Sequence, residues 1–258
     1  MKRLKQAMPL VLALFFTSCN TQTDRGPAKT QQEDFGTFLK SKGVMERSQG
    51  NDIQKKEFSK QFEADLAGYL DSVKLFVNWK GQIKDIKTSE YGNSTLLEFE
   101  IVYSPEKYIK ITFECSHLVK TVDLESDYLF NEVKNMSNFS YVFVDGYIKR
   151  KADNSVYYYL ESLFSNKISY PHYRFNVVKI SKMLSVDTLS NNLQKAIVVD
   201  FEMIDLFRKE FKKEITKKER EDMARSLQFD SIQSMLLDEE KLYSQRFRQS
   251  LLNDFVSE

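Results

Sequence analysis

Cysteine, glycine, proline and histidine are all scarce in this chain, and each scarcity excludes a class of protein. Two cysteines in 258 residues rule out a disulfide scaffold and a Cys-x-x-Cys metal or redox pair. Eight glycines and four prolines exclude collagen-like, repeat-loop and disordered character. No phosphate-cradling glycine loop and no Gly-x-Ser-x-Gly elbow occurs. The two histidines, His117 and His172, have no His-x-x-x-His spacing and no carboxylate-histidine cluster beside them, so neither a metal nor a cofactor is expected. An excess of one charge is also lacking: 38 basic and 37 acidic side chains give a net charge of +1. No global field therefore favours nucleic acid or an anionic membrane. Past residue 16 there is no long apolar run. Aromatics are what the chain has in quantity, with 20 Phe and 13 Tyr, enough for a sizeable core.

The start of the chain carries a pattern of its own. Lys2, Arg3 and Lys5 precede an apolar run from Met8 to Phe16, and Phe16-Thr17-Ser18 leads into Cys19. This stretch resembles the lipobox of bacterial lipoproteins, with Phe16 where Leu is commoner. Nine apolar residues make roughly 13 Å of helix against a hydrocarbon core of ~30 Å, so a cleaved signal is expected over 1–18 rather than a permanent span. The resemblance implies that Cys19 carries diacylglycerol and a further acyl chain of the palmitate class. It also implies that the protein is lipid-anchored in the bacterial cell envelope, at the outer membrane. Several chains hold a protein stably where one would not. The alternative is an ordinary secretory signal with Cys19 a bystander.

Residues 19–34 are polar and aromatic-free and read as a flexible tether. An N-terminal helical segment is expected over 35–74. Phe35, Phe38 and Leu39 begin a short helix that Gly43 ends. A second helix starts at an Asn51/Gln54 capping box and carries Phe58, Phe62, Leu66, Tyr69, Leu70 and Val73 on one face. From Leu75 the period shortens to two. Strands are predicted at 76–86, 95–103 and 108–115, a helix at 126–136, and two more strands at 141–149 and 173–180. Beyond 183 the chain reads as helical to its end, with a capping box at Thr216-Lys217-Lys218-Glu219 and a charge-rich, solvated 208–225. These helices, with the one at 51–73, are expected to form a bundle beside the strands.

Three strands, a helix and two strands is the order of the five-stranded Greek-key barrel that binds oligonucleotides and oligosaccharides, the OB-fold. Trp79-Lys80-Gly81-Gln82-Ile83 is similar to the opening strand of such domains, in which a glycine bends the strand to serve both halves of the barrel. Val142-Phe143-Val144-Asp145-Gly146-Tyr147 is similar to the fourth strand, and Pro171-His172-Tyr173-Arg174-Phe175 to the entry into the fifth. The expected class is thus α+β, an OB-like barrel over 75–182 flanked by N-terminal and C-terminal helices. An α+β meander with a helix on one face is the competing architecture.

Candidate chemistry is sparse. Cys115 closes the apolar alternation Ile109, Ile111, Phe113, Cys115 and reads as a small buried hydrophobe. His117 and His172 read as surface loop residues, one after the third strand and one before the fifth. Glu98 and Glu100 alternate with Leu97, Phe99 and Ile101 and read as the polar side of a strand. OB barrels usually meet ligands at strands two and three and at the loops joining one to two and four to five. The last of these is long here and sets Tyr157, Tyr158 and Tyr159 beside Lys149, Arg150 and Lys151. With His172 these make the candidate ligand site, since aromatics near cations stack sugars or bases, while packing against the barrel is the plainer role. Asp71-Ser72-Val73, Asp187-Thr188-Leu189 and Asp230-Ser231-Ile232 resemble the Asp-Ser/Thr-apolar acceptor of bacterial O-glycosylation; of these Thr188 lies in an expected exposed linker. The function expected is a membrane-anchored, non-enzymatic binding module for an envelope protein or glycan, with nucleic acid an improbable ligand. The alternative is an envelope hydrolase with a site of dispersed carboxylates and tyrosines.

Overall fold

The computed structural model describes residues 30–151, 155–156, 167–183 and 189–257. Five strands close a barrel: β1 (Phe76–Tyr91), β2 (Ser94–Glu106), β3 (Ile109–Lys120), β4 (Tyr141–Ile148) and β5 (His172–Ser181), in the order β1-β2-β3-β5-β4. Every contact is antiparallel except β3 with β5, which is parallel. A short helix, α3 (Tyr128–Lys134), lies between β3 and β4. The fold is α+β and OB-like, and the meander is set aside because β1 pairs with both β2 and β4.

Closure depends on how β1 bends. Its ladder slips between Phe76 and Trp79 and again between Lys84 and Lys87. Asn78 and Asp85, inside those slips, have φ of 54°, a left-handed conformation in which Asn and Asp are among the tolerated residues. Gly81 sits between the two bends, where a Cβ would lie 2.4 Å from Cγ2 of Ile101. Its absent side chain serves close strand approach, while Asn78 and Asp85 make the bends. Gly146 adjoins the β4–β5 slip and would bring a Cβ within 2.3 Å of the Asn176 carbonyl oxygen.

Two hydrophobic clusters organise the molecule. The first fills the barrel with Trp79, Phe113, Tyr173 and Phe175 and extends to α1 (Gln31–Arg47) and α2 (Asp52–Val73) through Phe35, Leu39, Phe62 and Leu66. Helix α1 runs through Gly43, which packs on Ile168, rather than ending there. It also starts earlier than expected: Thr30 and Glu33, within the segment read as tether, form its capping box. The Gln32 amide there gives to the Lys80 carbonyl and accepts from the Lys80 N–H, acting as a piece of strand edge. The second cluster docks α4 (Asn191–Phe211), α6 (Phe229–Ser234) and α7 (Asp238–Ser257) on the outer faces of β4 and β5, through Tyr147, Val178, Ile197 and Phe247. Helix α2 belongs to the first cluster, so the expected bundle of α2 with the C-terminal helices does not form. Helix α5 (Lys217–Ser226) has no fully buried residue, but its Arg220 packs on the Phe207 ring and pairs with Glu210, so the charge-rich 208–225 segment is solvated only in part.

Candidate binding groove

Strands β3 and β5 pair only over Thr112–Cys115 and His172–Phe175. Beyond that, β3 continues to Lys120 beside β2 alone, and β5 continues to Ser181 beside β4 alone. Helix α3 is wedged into the divergence: Leu129 and Val133 enter the barrel core and the Tyr128 hydroxyl donates to the Ile180 carbonyl at 3.0 Å. Helix α7 crosses outside. Together β3, β5, α7 and the chain entering α3 enclose a groove of about 1140 Å³, slightly above the usual range for small-molecule pockets.

The lining is mixed. Ser116, Asn176, Gln245, Gln249 and Asn253 bring hydroxyl and amide groups from β3, β5 and α7. Leu118 and Leu242, from β3 and α7, are each 57% exposed there, which water disfavours and an apolar ligand side chain would relieve. The aromatic residues of the lining are Tyr128 and Phe175. Phe175 is 1% exposed, and the Arg246 guanidinium stands 4.1 Å over the Tyr128 ring. Phe175 offers no ring face for stacking, and Arg246 takes one face of Tyr128.

Charged groups of the groove are tied to one another. His117 Nε2 and Asp127 Oδ2 are 2.9 Å apart, and Asp127 Oδ1 accepts the Phe130 N–H at 2.8 Å to cap α3. Burial pushes the Asp127 carboxyl up, but the His117 and Phe130 bonds outweigh it and hold it below its ordinary value. Asp254 of α7 sits 2.8 Å from Lys149 Nζ and accepts the Tyr147 hydroxyl and the Asn176 amide, pinning α7 to β4 and β5. Behind them, Asp145 accepts the Asn78 N–H freed by the β1 bulge and the Tyr243 hydroxyl of α7.

The expected site residues that are described, Lys149, Arg150 and His172, do not converge. Lys149 lines the groove, yet its ammonium is engaged by Asp254. Arg150 reaches the other way, to Asp71 and the Ala67 carbonyl of α2. His172 pairs with Thr112 at the head of β5, away from the groove lining. Cys19, Tyr157, Tyr158, Tyr159 and Thr188 lie outside the described residues. His117 belongs to β3 itself, half-buried against Asp127, not to a loop after it. Cys115 is buried with its thiol pushed up by burial, as a small hydrophobe. Glu98 and Glu100 pair with Lys87 and Lys84 across β1. Among the described residues no three His, Cys, Asp or Glu side chains are grouped to hold a metal, and no helix is long and apolar enough to cross a membrane.

No protein-family model matches the chain, and no curated protein does.

Proposed function

We propose that the protein is an envelope lipoprotein, anchored at the outer membrane through acylated Cys19, whose folded part is a non-enzymatic binding module for an envelope protein or glycan. The groove between the diverging strands and α7 carries this reading. It combines neutral hydrogen-bonding groups with two leucines that lack cover, a lining suited to recognition. Asp127 is taken up by His117 and by the Phe130 N–H that caps α3, a structural engagement that fits a site built to bind. The anchor rests on the lipobox resemblance at Phe16-Thr17-Ser18-Cys19.

One experiment addresses both halves. Full-length protein, Cys19→Ala and the double variant Leu118→Asp/Leu242→Asp are extracted from envelopes, partitioned between detergent and water, and recovered with their partners. Cys19→Ala should leave the detergent phase. The double variant should stay in it with an unchanged melting temperature, because both leucines are exposed, but without the wild-type partner. Unchanged partitioning of Cys19→Ala would reject the anchor, and an undiminished partner on the double variant would reject the groove.

A further inference from the structure

The groove has a second property, visible in the backbone. Thr112 N–H bonds to the Pro171 carbonyl and Lys110 N–H to the Ser169 carbonyl, so even-numbered residues of β3 direct their N–H and C=O toward β5. In that parity the Ser116 N–H makes the last bond of the ladder, to the Phe175 carbonyl, and the Ser116 C=O and the Leu118 N–H and C=O lie beyond it, where β5 is no longer the neighbour and no strand among the described residues takes its place. A strand edge opening into a groove, next to apolar side chains, is a template for another extended chain.

Resting on the binding-module reading above, we propose that the groove binds an extended, uncharged polypeptide segment as an added strand on the β3 edge at the Ser116 carbonyl and Leu118. One apolar side chain of the segment fits between Leu118 and Leu242, and the Asn176, Gln245 and Gln249 amides meet its backbone and polar groups. The lining chemistry selects this ligand over others. A glycan or a single-stranded nucleic acid draws on exposed aromatic faces, whereas Phe175 is buried and Arg246 already stands over the Tyr128 ring. The charged lining is near balance, with Glu114, Asp123, Asp127 and Asp254 against Lys149, Arg174 and Arg246, which fits a neutral chain better than a charged one.

The test uses the full-length protein and short random-sequence peptides displayed on phage, with an array of envelope glycans in parallel. Synthetic copies of selected peptides, and copies N-methylated at alternate amides, are then titrated by fluorescence anisotropy. A strand added to one edge uses every second amide. Methylation in one parity should therefore weaken binding about tenfold or more and in the other parity should leave it unchanged. Leu118→Pro should weaken binding similarly, since it removes the N–H that lies past the β5 ladder and spares the ladder to β2. The N-methylated peptides give the same answer if that variant does not fold. Peptides that bind with no parity effect, or equally to Leu118→Asp/Leu242→Asp, would overturn strand addition at this edge and leave a binding module. Binding of glycans without peptides would likewise overturn it. Failure of both libraries would overturn the two readings together.

Discussion

Asp145 is a carboxyl placed where its charge is disfavoured. It is 3% exposed, and burial raises its pKa despite the Asn78 N–H, the Tyr243 hydroxyl and the nearby Lys179. A carboxyl whose folded pKa exceeds its unfolded one adds stability that is full below the unfolded value and lost as pH rises through the folded one. Asn at this position keeps an acceptor for Asn78 and a partner for Tyr243 without the charge. Asp145→Asn should therefore be at least as stable as wild type at pH 7, and its advantage should vanish in acid, as read from urea midpoints across pH. A large loss of stability at neutral pH would mean that the charge itself holds α7 in place. At this scale the sequence is partly legible. The resemblance marks Gly81 as the bend of β1, yet Asn78 and Asp85 make the bends and Gly81 serves close approach, while Trp79 is 1% exposed within the barrel. The His117–Asp127 pair was not readable, since ten residues and the turn into α3 separate its members.

Among the elements, α7 depends most on polar groups for its seat. Phe247 and Leu251 give it an apolar face, but Asp254 fixes its end against Tyr147, Asn176 and Lys149 at once. Asp254→Ala leaves those three groups short of a partner, at a cost of about 1–3 kcal/mol for an orphaned buried donor. Amide hydrogen exchange should then accelerate along the last turns of α7 while the barrel strands keep their protection. Uniform acceleration would show that α7 and the barrel unfold as one unit. The strands and α2 were legible because their periodicity of two or of three to four survives in the side chains. Helix α1 was only half legible, because its opening residues Gln31 and Gln32 are polar not for solvent but for the β1 backbone. A helix that uses amide side chains to finish a strand edge looks, in sequence, like a tether.

For the whole molecule, the barrel is a platform whose opening between β3 and β5 faces a helix from the far end of the chain. The resulting groove joins Ser116 to Asn253, and nothing in local sequence links residues so distant. This is why reading along the chain located the barrel but not this groove. The central claim, that this groove is where an envelope-anchored module meets its partner, is tested most directly by site-specific photo-cross-linking in cells that make the full-length protein. A photoreactive residue at Gln245, exposed on the groove wall, is compared with one at Tyr91, exposed where β1 turns into β2. The account predicts a discrete adduct from Gln245 and none from Tyr91; no adduct from Gln245, or the same adduct from both positions, would contradict it.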